Sequence, residues 1–243
     1  MYIAACTDLG KVRDGNEDSL LVIERDIIAV ADGMGGHAAG EVASQQALEI
    51  VKSNLSVLVP TADDQSLCEQ LTAAVAAANK HVYELSKQAG YAGMGTTLTL
   101  ARLCGEKVVY AHVGDSRLYL YRQSKLQQIT SDHSLVAEMV RNGYITKEEA
   151  AHHPRRNVIT RAVGTADEVK IDCGVFPWNP GDALLLCTDG LTTMVDDSQL
   201  ASLLAGGLSQ PQELVRQLIE TANEQGGKDN VTVICAVHEG EKV

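Results

Sequence analysis

The 243-residue chain carries 32 acidic against 20 basic residues, a formal net charge of -12, and is 45% hydrophobic but only 4% aromatic. So acidic a chain lacks the surplus of Lys and Arg that neutralises nucleic-acid phosphates, which argues against a nonspecific grip on DNA or RNA. The length suffices for one sizeable core and no stretch has a linker's composition, so one domain is expected, packed with Ala, Val, Leu and Ile and with Trp178 and Phe176 as rare bulky members.

In chain order, strands are expected near Tyr2 to Leu9, Ser19 to Glu24 and Ile27 to Ala31, followed by two long helical patterns. The first is Ala39 to Leu55. The second runs from about Gln65 to Ala89, with Leu67, Leu71, Val75, Ala78, Val82 and Leu85 on one face. From Thr96 the period becomes that of strands: Thr96 to Leu103, a turn at Cys104 to Lys107, Val108 to Val113, Arg117 to Arg122 and Leu126 to Ile129, read as an antiparallel meander. Ser134 to Asn142 and Thr146 to Ala151 read as short helices, the second opened by the capping box Thr146-x-x-Glu149, and Pro154 breaks the pattern. Strands Val169 to Phe176 and Ala183 to Cys187 come next. Ser209 as N-cap, Pro211 and Gln212 announce a last helix that packs through Leu214, Leu218 and Ile219, and Val231 to Val237 closes the chain as a strand. Blocks of strands beside blocks of helices indicate α+β layers, not a doubly wound parallel sheet.

Three of these strand ends each present one Asp. The apolar run Ile27 to Ala31 delivers a carboxylate into Asp32-Gly33-Met34-Gly35-Gly36-His37, the run Ala183 to Cys187 leads into Thr188-Asp189-Gly190, and Asp229-Asn230 precedes Val231. Neighbouring strand ends lie about 5 Å apart, so three such carboxylates can meet at one hard cation if the fold brings those ends together. Spacing alone leaves that open. A single Asp-Gly is first of all a turn signal, which is the reading of Asp14-Gly15.

The segments Arg13-Asp14-Gly15-Asn16-Glu17-Asp18, Val30-Ala31-Asp32-Gly33-Met34-Gly35-Gly36-His37, Gly95-Thr96-Thr97, Val113-Gly114-Asp115-Ser116-Arg117, Thr160-Arg161-Ala162-Val163-Gly164, Cys187-Thr188-Asp189-Gly190 and Asp229-Asn230-Val231-Thr232 together resemble the metal-dependent serine/threonine protein phosphatases of type 2C. They follow that family's order from the first strand to the last, in the manner of its compact bacterial branch. The resemblance implies a central antiparallel β-sandwich flanked by helices on both faces, a four-layer α+β fold. It also implies one catalytic domain over residues 1–243, with a mobile flap at about 143–159 that influences substrate choice.

The activity implied is hydrolysis of phosphoserine and phosphothreonine by water activated between two cations about 3.5 to 4 Å apart. By the same resemblance Asp32 bridges both metals, the carbonyl of Gly33 completes the first site, and Asp189 and Asp229 hold the second. Glu17 and Asp18 act through water, and Asp115 with Asp189 forms a third, weaker site. Glycine at 33 is expected because a backbone oxygen turns toward a cation where unusual dihedrals are open. Arg13 is the candidate phosphate clamp, since a planar fork of donors matches two phosphate oxygens; otherwise it is a solvated surface arginine. His37 is the candidate general acid, with stabilisation of the loop as the alternative. Asn230 is expected to orient phosphate or water. An oxygen-only ligand set suits Mg2+ or Mn2+, without choosing between them, and disfavours zinc. The implied partners are phosphorylated proteins and a serine/threonine kinase of the same cell, with the protein itself a monomer. A pseudophosphatase that only binds phosphoproteins, and a regulator dedicated to one partner, are the competing readings; the first should have lost a metal ligand, and none is missing.

Other chemistries find no support. Gly114-Asp115-Ser116 lacks the downstream Asp-x-x-His of an esterase, so Ser116 is read as structural. No arginine stands six residues beyond Cys6, Cys68, Cys104, Cys173, Cys187 or Cys235, which excludes a Cys-x5-Arg phosphatase, and the absence of a Cys-x-x-Cys pair suggests reduced, buried thiols. Neither a nucleotide-binding Gly-x4-Gly-Lys loop nor His-Glu-x-x-His is present, and Glu149-x-x-His152 occurs once where a di-iron bundle needs two. His152 and His153 are assigned to a solvated flap. No basic start or apolar region precedes Ile3-Ala4-Ala5-Cys6, and no run approaches the ~20 apolar residues that cross a bilayer, so a cytoplasmic protein without membrane contact is expected.

Overall fold

The structure, a computed structural model, describes residues 1–24, 26–36, 39–56 and 63–239. Two antiparallel sheets face each other. The first has the order β1 (Tyr2–Asp8), β11 (Val231–Val237), β10 (Ala183–Cys187), β7 (Arg117–Arg122) and β8 (Lys125–Gln128). The second has the order β2 (Asp18–Ile23), β3 (Ile27–Met34), β5 (Leu98–Cys104), β6 (Lys107–Val113) and β9 (Asp172–Pro177), with the short β4 (Gly95–Thr96) also on β3. Helices α1 (Ala39–Leu55) and α2 (Asp64–Ser86) cover the outside of the second sheet, and α6 (Asp197–Gly207) and α7 (Pro211–Glu224) cover the first. Three short helices, α3 (Leu135–Arg141), α4 (Lys147–Ala151) and α5 (Asp189–Thr192), lie in the connections.

Strand alternation explains why the central strands are apolar without interruption. In β3, Ile27, Ala29 and Ala31 face α1 and α2, while Ile28 and Val30 face the opposite sheet. In β10, Leu185 and Cys187 face α6 and α7, while Leu184 and Leu186 meet β3 across the sandwich. Both faces are therefore buried, and each Leu, Ile or Val so enclosed contributes about 1.5–3 kcal/mol. Small residues on α1, Ala43 and Ala47, let that helix lie close to β3. This is the four-layer α+β sandwich that the resemblance implied. Among the described residues no helix is long and apolar enough to cross a membrane.

Several expectations are corrected in detail. The predicted meander divides: β5 and β6 belong to one sheet and β7 and β8 to the other, because the chain crosses the sandwich at Gly114, whose φ of +114 few other residues adopt. The predicted strand Thr96 to Leu103 is interrupted at Thr97, whose N–H donates to the Asp32 carbonyl at 2.8 Å. The strand expected from Val169 begins only at Asp172. The last helix is capped by Gln210, not Ser209, and without a side-chain cap bond; Pro211 fills the first turn, where its missing N–H has no partner to lose. The Thr146–Glu149 capping box forms as expected, whereas α6 opens with a second box, Asp196–Gln199, and it and α5 occupy a stretch for which no helix was expected.

Candidate metal centre

One edge of the sandwich gathers the acidic residues. Register places Asp18 directly opposite Asp32, Cys187 opposite both Arg117 and Val233, and Asp8 opposite Val231. The end of β3, the end of β10, the start of β7 and the start of β11 thus share that edge, and with them Asp32, Asp189, Asp115 and Asp229. Since Ala31 faces the helices, the alternation turns Asp32 inward between the sheets.

Close backbone approach tightens the cluster. A Cβ at Gly190 would meet the Asn230 carbonyl oxygen at 1.9 Å, so the Asp189-Gly190 turn lies directly against the Asp229-Asn230 backbone. At Gly33 a Cβ would meet the Gly40 oxygen at 2.1 Å and the Glu17 oxygen at 2.6 Å. Gly33 is therefore required by packing and not by an unusual dihedral: it lies within β3 and is not among the positive-φ glycines, a correction to the expected reason for glycine there. Its N–H donates to the Glu17 carbonyl at 3.1 Å.

The carboxylates repel one another. Burial pushes the Asp32 carboxyl well above the usual carboxylate range, and the charges of Asp18, Asp189, Asp115 and Asp229 push it further. Burial first, then Asp189, raises Asp115 to about 7. Asp18 rises to about 7 by burial, against hydrogen bonds from Thr232 and Thr188 that favour its charged form. Asp189 rises to about 6 by burial and Asp229, held back by its hydrogen bond with Asp32. Asp18 and Asp115 are 7% and 8% exposed, whereas Asp32, Asp189 and Asp229 keep part of their surface open to the cleft. Oδ1 of Asp115 is buried without a hydrogen-bond partner among the described residues.

That donor set fits hard dications: several oxygens, strained toward protonation and one of them orphaned, gain most from a positive charge. Among the described residues no three Asp, Glu, His or Cys side chains close on an ion by themselves. Backbone oxygen and water must then complete any coordination, the habit of Mg2+ and similar ions.

Neighbouring groups fix the cluster. Thr188 Oγ1 donates to Asp18 Oδ2 at 2.8 Å and accepts from the Thr232 N–H at 3.0 Å, while Thr97 Oγ1 accepts from the Asp32 N–H at 2.9 Å and bonds Ser116 Oγ at 2.7 Å. Ser116 is thus structural, as expected. Arg13 Nη2 donates to Asp229 Oδ2 at 2.7 Å, the leading cause of its raised pKa, with half of its side chain exposed. Burial raises the Glu17 carboxyl, whose Oε1 packs against Gly40. Asn230 differs from expectation: its Oδ1 accepts from the Glu17 N–H at 2.8 Å, and its Nδ2 donates to the Leu9 and Gly15 carbonyls. Both ends are committed to holding the loop before β2, which carries Arg13. His37 lies outside the described residues.

A buried histidine pair adjoins the Asp115 turn. His133 exchanges two hydrogen bonds with Gly114, its backbone N–H to the Gly114 carbonyl at 2.8 Å and its Nδ1 from the Gly114 N–H at 3.0 Å. Nε2 then carries the proton and donates to Asp172 Oδ2 at 3.1 Å, while the His133 carbonyl accepts from Thr160. The His112 ring stands 4.7 Å away, its pKa lowered to about 4 by burial first and then by His133. These residues tie the Asp115 turn to the base of the flap. Thr188 and Thr97 stood inside motifs already quoted, whereas His133 carries no local signal.

The six cysteines are free; Cys187 and Cys235 are buried but the other four only partly so, against the expectation of buried thiols throughout. In the flap, His152 is exposed and His153 partly so.

Comparison with known proteins places this geometry. The protein phosphatase 2C family model matches residues 13–232. A serine/threonine phosphatase, stp, of Listeria monocytogenes is 40% identical over 241 residues, covering 96% of this chain and 94% of that protein. The crystal structure of the Mycobacterium tuberculosis serine/threonine phosphatase PstP/Ppp superposes with a TM-score of 0.90 at 41% identity, covering 98% of this chain and 99% of that one. A PstP catalytic domain solved with 2 manganese ions matches with a TM-score of 0.85 at 39% identity, over 96% of each chain.

Proposed function

The chain belongs to the protein phosphatase 2C family, and we propose that it is a cytoplasmic, monomeric protein serine/threonine phosphatase working at a binuclear Mn2+ or Mg2+ centre, in opposition to a serine/threonine kinase of the same cell. The observation that carries this reading is the convergence of Asp18, Asp32, Asp115, Asp189 and Asp229 at one edge of the sandwich, where burial first and mutual repulsion second hold four of them above the ordinary carboxylate range. Buried carboxylates with raised pKa values gathered in a cleft are the mark of a functional site, and cations relieve them without protonation. The relative solved with manganese supports the choice of ion.

Asp32, the Gly33 carbonyl, Asp189 and Asp229 would hold the two core ions, and Asp115 with Asp189 a third. When bound, the ions supply Lewis acidity and an acidified water for attack on phosphorus. Glu17 and Asp18 act behind them, Asp18 fixed by Thr188, as acceptors that orient water. Arg13 is placed to bind the substrate phosphate: a half-exposed guanidinium on Asp229 can transfer its fork to phosphate oxygens when Asp229 engages a cation. His37 would protonate the leaving serine or threonine oxygen, an assignment that rests on the family resemblance. Asn230 serves by anchoring the loop of Arg13 and Glu17. The whole forms one catalytic domain, with a flap at about 143–159 beside the cleft.

The test is hydrolysis of a phosphothreonine peptide and of p-nitrophenyl phosphate with Mn2+, expected to vanish with EDTA and to be lost in Asp189→Asn. Turnover that persists in excess chelator would refute the metal-dependent reading.

A further inference from the structure

The phosphorylated side chain is only part of a substrate, and the space beside the carboxylates is larger than a phosphate needs. A cleft of about 830 Å³ runs from Asp115 and Asp189 along α3 and α4 to the start of α6. Its rim carries Lys147 and Arg156 from the flap and Lys228 from the turn before β11, all exposed. The side chain of none of these three makes a hydrogen bond or ion pair among the described residues. Arg141 adds a fourth cation, with Nη1 on Ser131 Oγ and the Asp132 carbonyl, neither of which offsets its charge.

Most acids of the same cleft are already committed. Asp132 is gripped by both Nε and Nη2 of Arg117, and Asp115 and Asp189 belong to the proposed cation centre, which leaves Asp197, whose hydrogen bond from the neutral Tyr119 hydroxyl at 3.0 Å does not offset its charge, against the four cations. On a chain of net charge -12, this rim is a local surplus of positive charge beside the reaction site.

We propose that the cleft receives an acidic stretch of the phosphoprotein, so that the preferred sites are phosphoserines and phosphothreonines with Asp or Glu within a few residues. The inference rests on the phosphatase reading above and adds a substrate class to it. The acidic remainder of the surface repels such a peptide, so the rim determines the one orientation in which it can approach. Attraction of this exposed kind is screened by salt.

Two synthetic phosphothreonine peptides test it, identical except that four flanking Asp and Glu residues in one are Asn and Gln in the other. Expected is a kcat/KM about tenfold higher for the acidic peptide at low salt, from several exposed charge pairs acting together. The ratio should fall toward one at about 1 M salt, where the Debye length is about 3 Å. In the variant Lys147→Gln, Arg156→Gln, Lys228→Gln the low-salt ratio should also drop, and Arg156→Gln alone should lower it in part. A general loss of activity leaves a ratio unchanged, so these readouts isolate recognition. Turnover of p-nitrophenyl phosphate with Mn2+, together with a wild-type ratio near one or a ratio unmoved by salt and by the substitutions, overturns the docking inference alone. Absence of metal-dependent turnover on p-nitrophenyl phosphate overturns the phosphatase reading instead.

Discussion

Stripping divalent metal from the protein should make its stability fall as pH rises through neutrality, the reverse of what ion-paired carboxylates with lowered pKa values do. Asp18 and Asp115, both buried, titrate near pH 7 in the folded protein against an ordinary value of 3.8. Between those values the folded state holds protons that the unfolded state has released, so stability falls with pH across that window and the full penalty is in place above about 7. Two histidines act oppositely: burial lowers His112 to about 4 and lowers His133, so each adds most of its stability as pH rises to 6.5 and only about 0.4 kcal/mol beyond it. Between pH 6.5 and 8 the carboxyls therefore dominate. Across that interval two carboxyls titrating near 7 lose together on the order of 2 kcal/mol, at about 1.4 kcal/mol per unit of pKa. Asp32, held well above the ordinary range by burial first, acts in the same direction. For a domain of this size that corresponds to a Tm lower by about 4–8 °C at pH 8 than at pH 6.5. Thermal melts in EDTA and in excess Mn2+ at both pH values measure it. With Mn2+ the carboxylates are ionised in the folded state as in the unfolded one, so the slope should vanish while Tm rises at both. A Tm in EDTA that is flat or rises over this interval, or the same slope with and without Mn2+, refutes the reasoning.

Arg13→Ala should raise KM for a phosphopeptide by at least tenfold, as loss of a charge-assisted bond implies, and leave Mn2+ affinity intact; calorimetry that finds Mn2+ binding lost contradicts the clamp. Gly190→Ala should destabilise the fold by 2 kcal/mol or roughly more in urea, because its methyl would lie 1.9 Å from the Asn230 oxygen, and a wild-type midpoint would show that the Asp189 turn does not press on the start of β11. Activity should survive iodoacetamide, since none of the six cysteines is among the groups proposed to hold metal or phosphate and burial pushes the thiols of Cys187 and Cys235 up to about 12; inactivation would revive a cysteine mechanism.

What was legible in the sequence was whatever a short window encodes. Helix α1 and strands β7 and β10 were expected with the bounds they have, because a run of apolar residues at one period ends at Leu55, Arg122 and Cys187. The carboxylates were legible for the same reason: each follows or precedes such a run. Illegible were features fixed by partners far along the chain. The crossing at Gly114 depends on which sheet β7 joins, a choice made by β10 some sixty residues later. Its place beside Asp229 makes Asn230 a candidate to orient phosphate or water, but both ends of its side chain are held by the Glu17, Leu9 and Gly15 backbone more than two hundred residues earlier. His133 belongs to this class, since nothing near it in sequence names Gly114 or Asp172 as partners.

The cluster of acids is affordable only because of where the strands stop. In β3 and β10 both faces are packed up to the last apolar residue, so the backbone at the sandwich edge is held rigidly from behind. Directly opposed Asp18 and Asp32 would otherwise relax apart, as like charges across a strand pair do. Thr188, Thr232 and Thr97 complete the constraint by bonding the strand ends to one another and to Asp18 and Asp32. Repulsion that cannot be relieved by movement must be relieved by protons or by cations, and at neutral pH cations are the stronger answer. Rigidity of the hydrophobic layers and affinity of the edge for metal are in that sense one property: a substitution that loosens β3 or β10 should weaken Mn2+ binding even when every carboxylate remains.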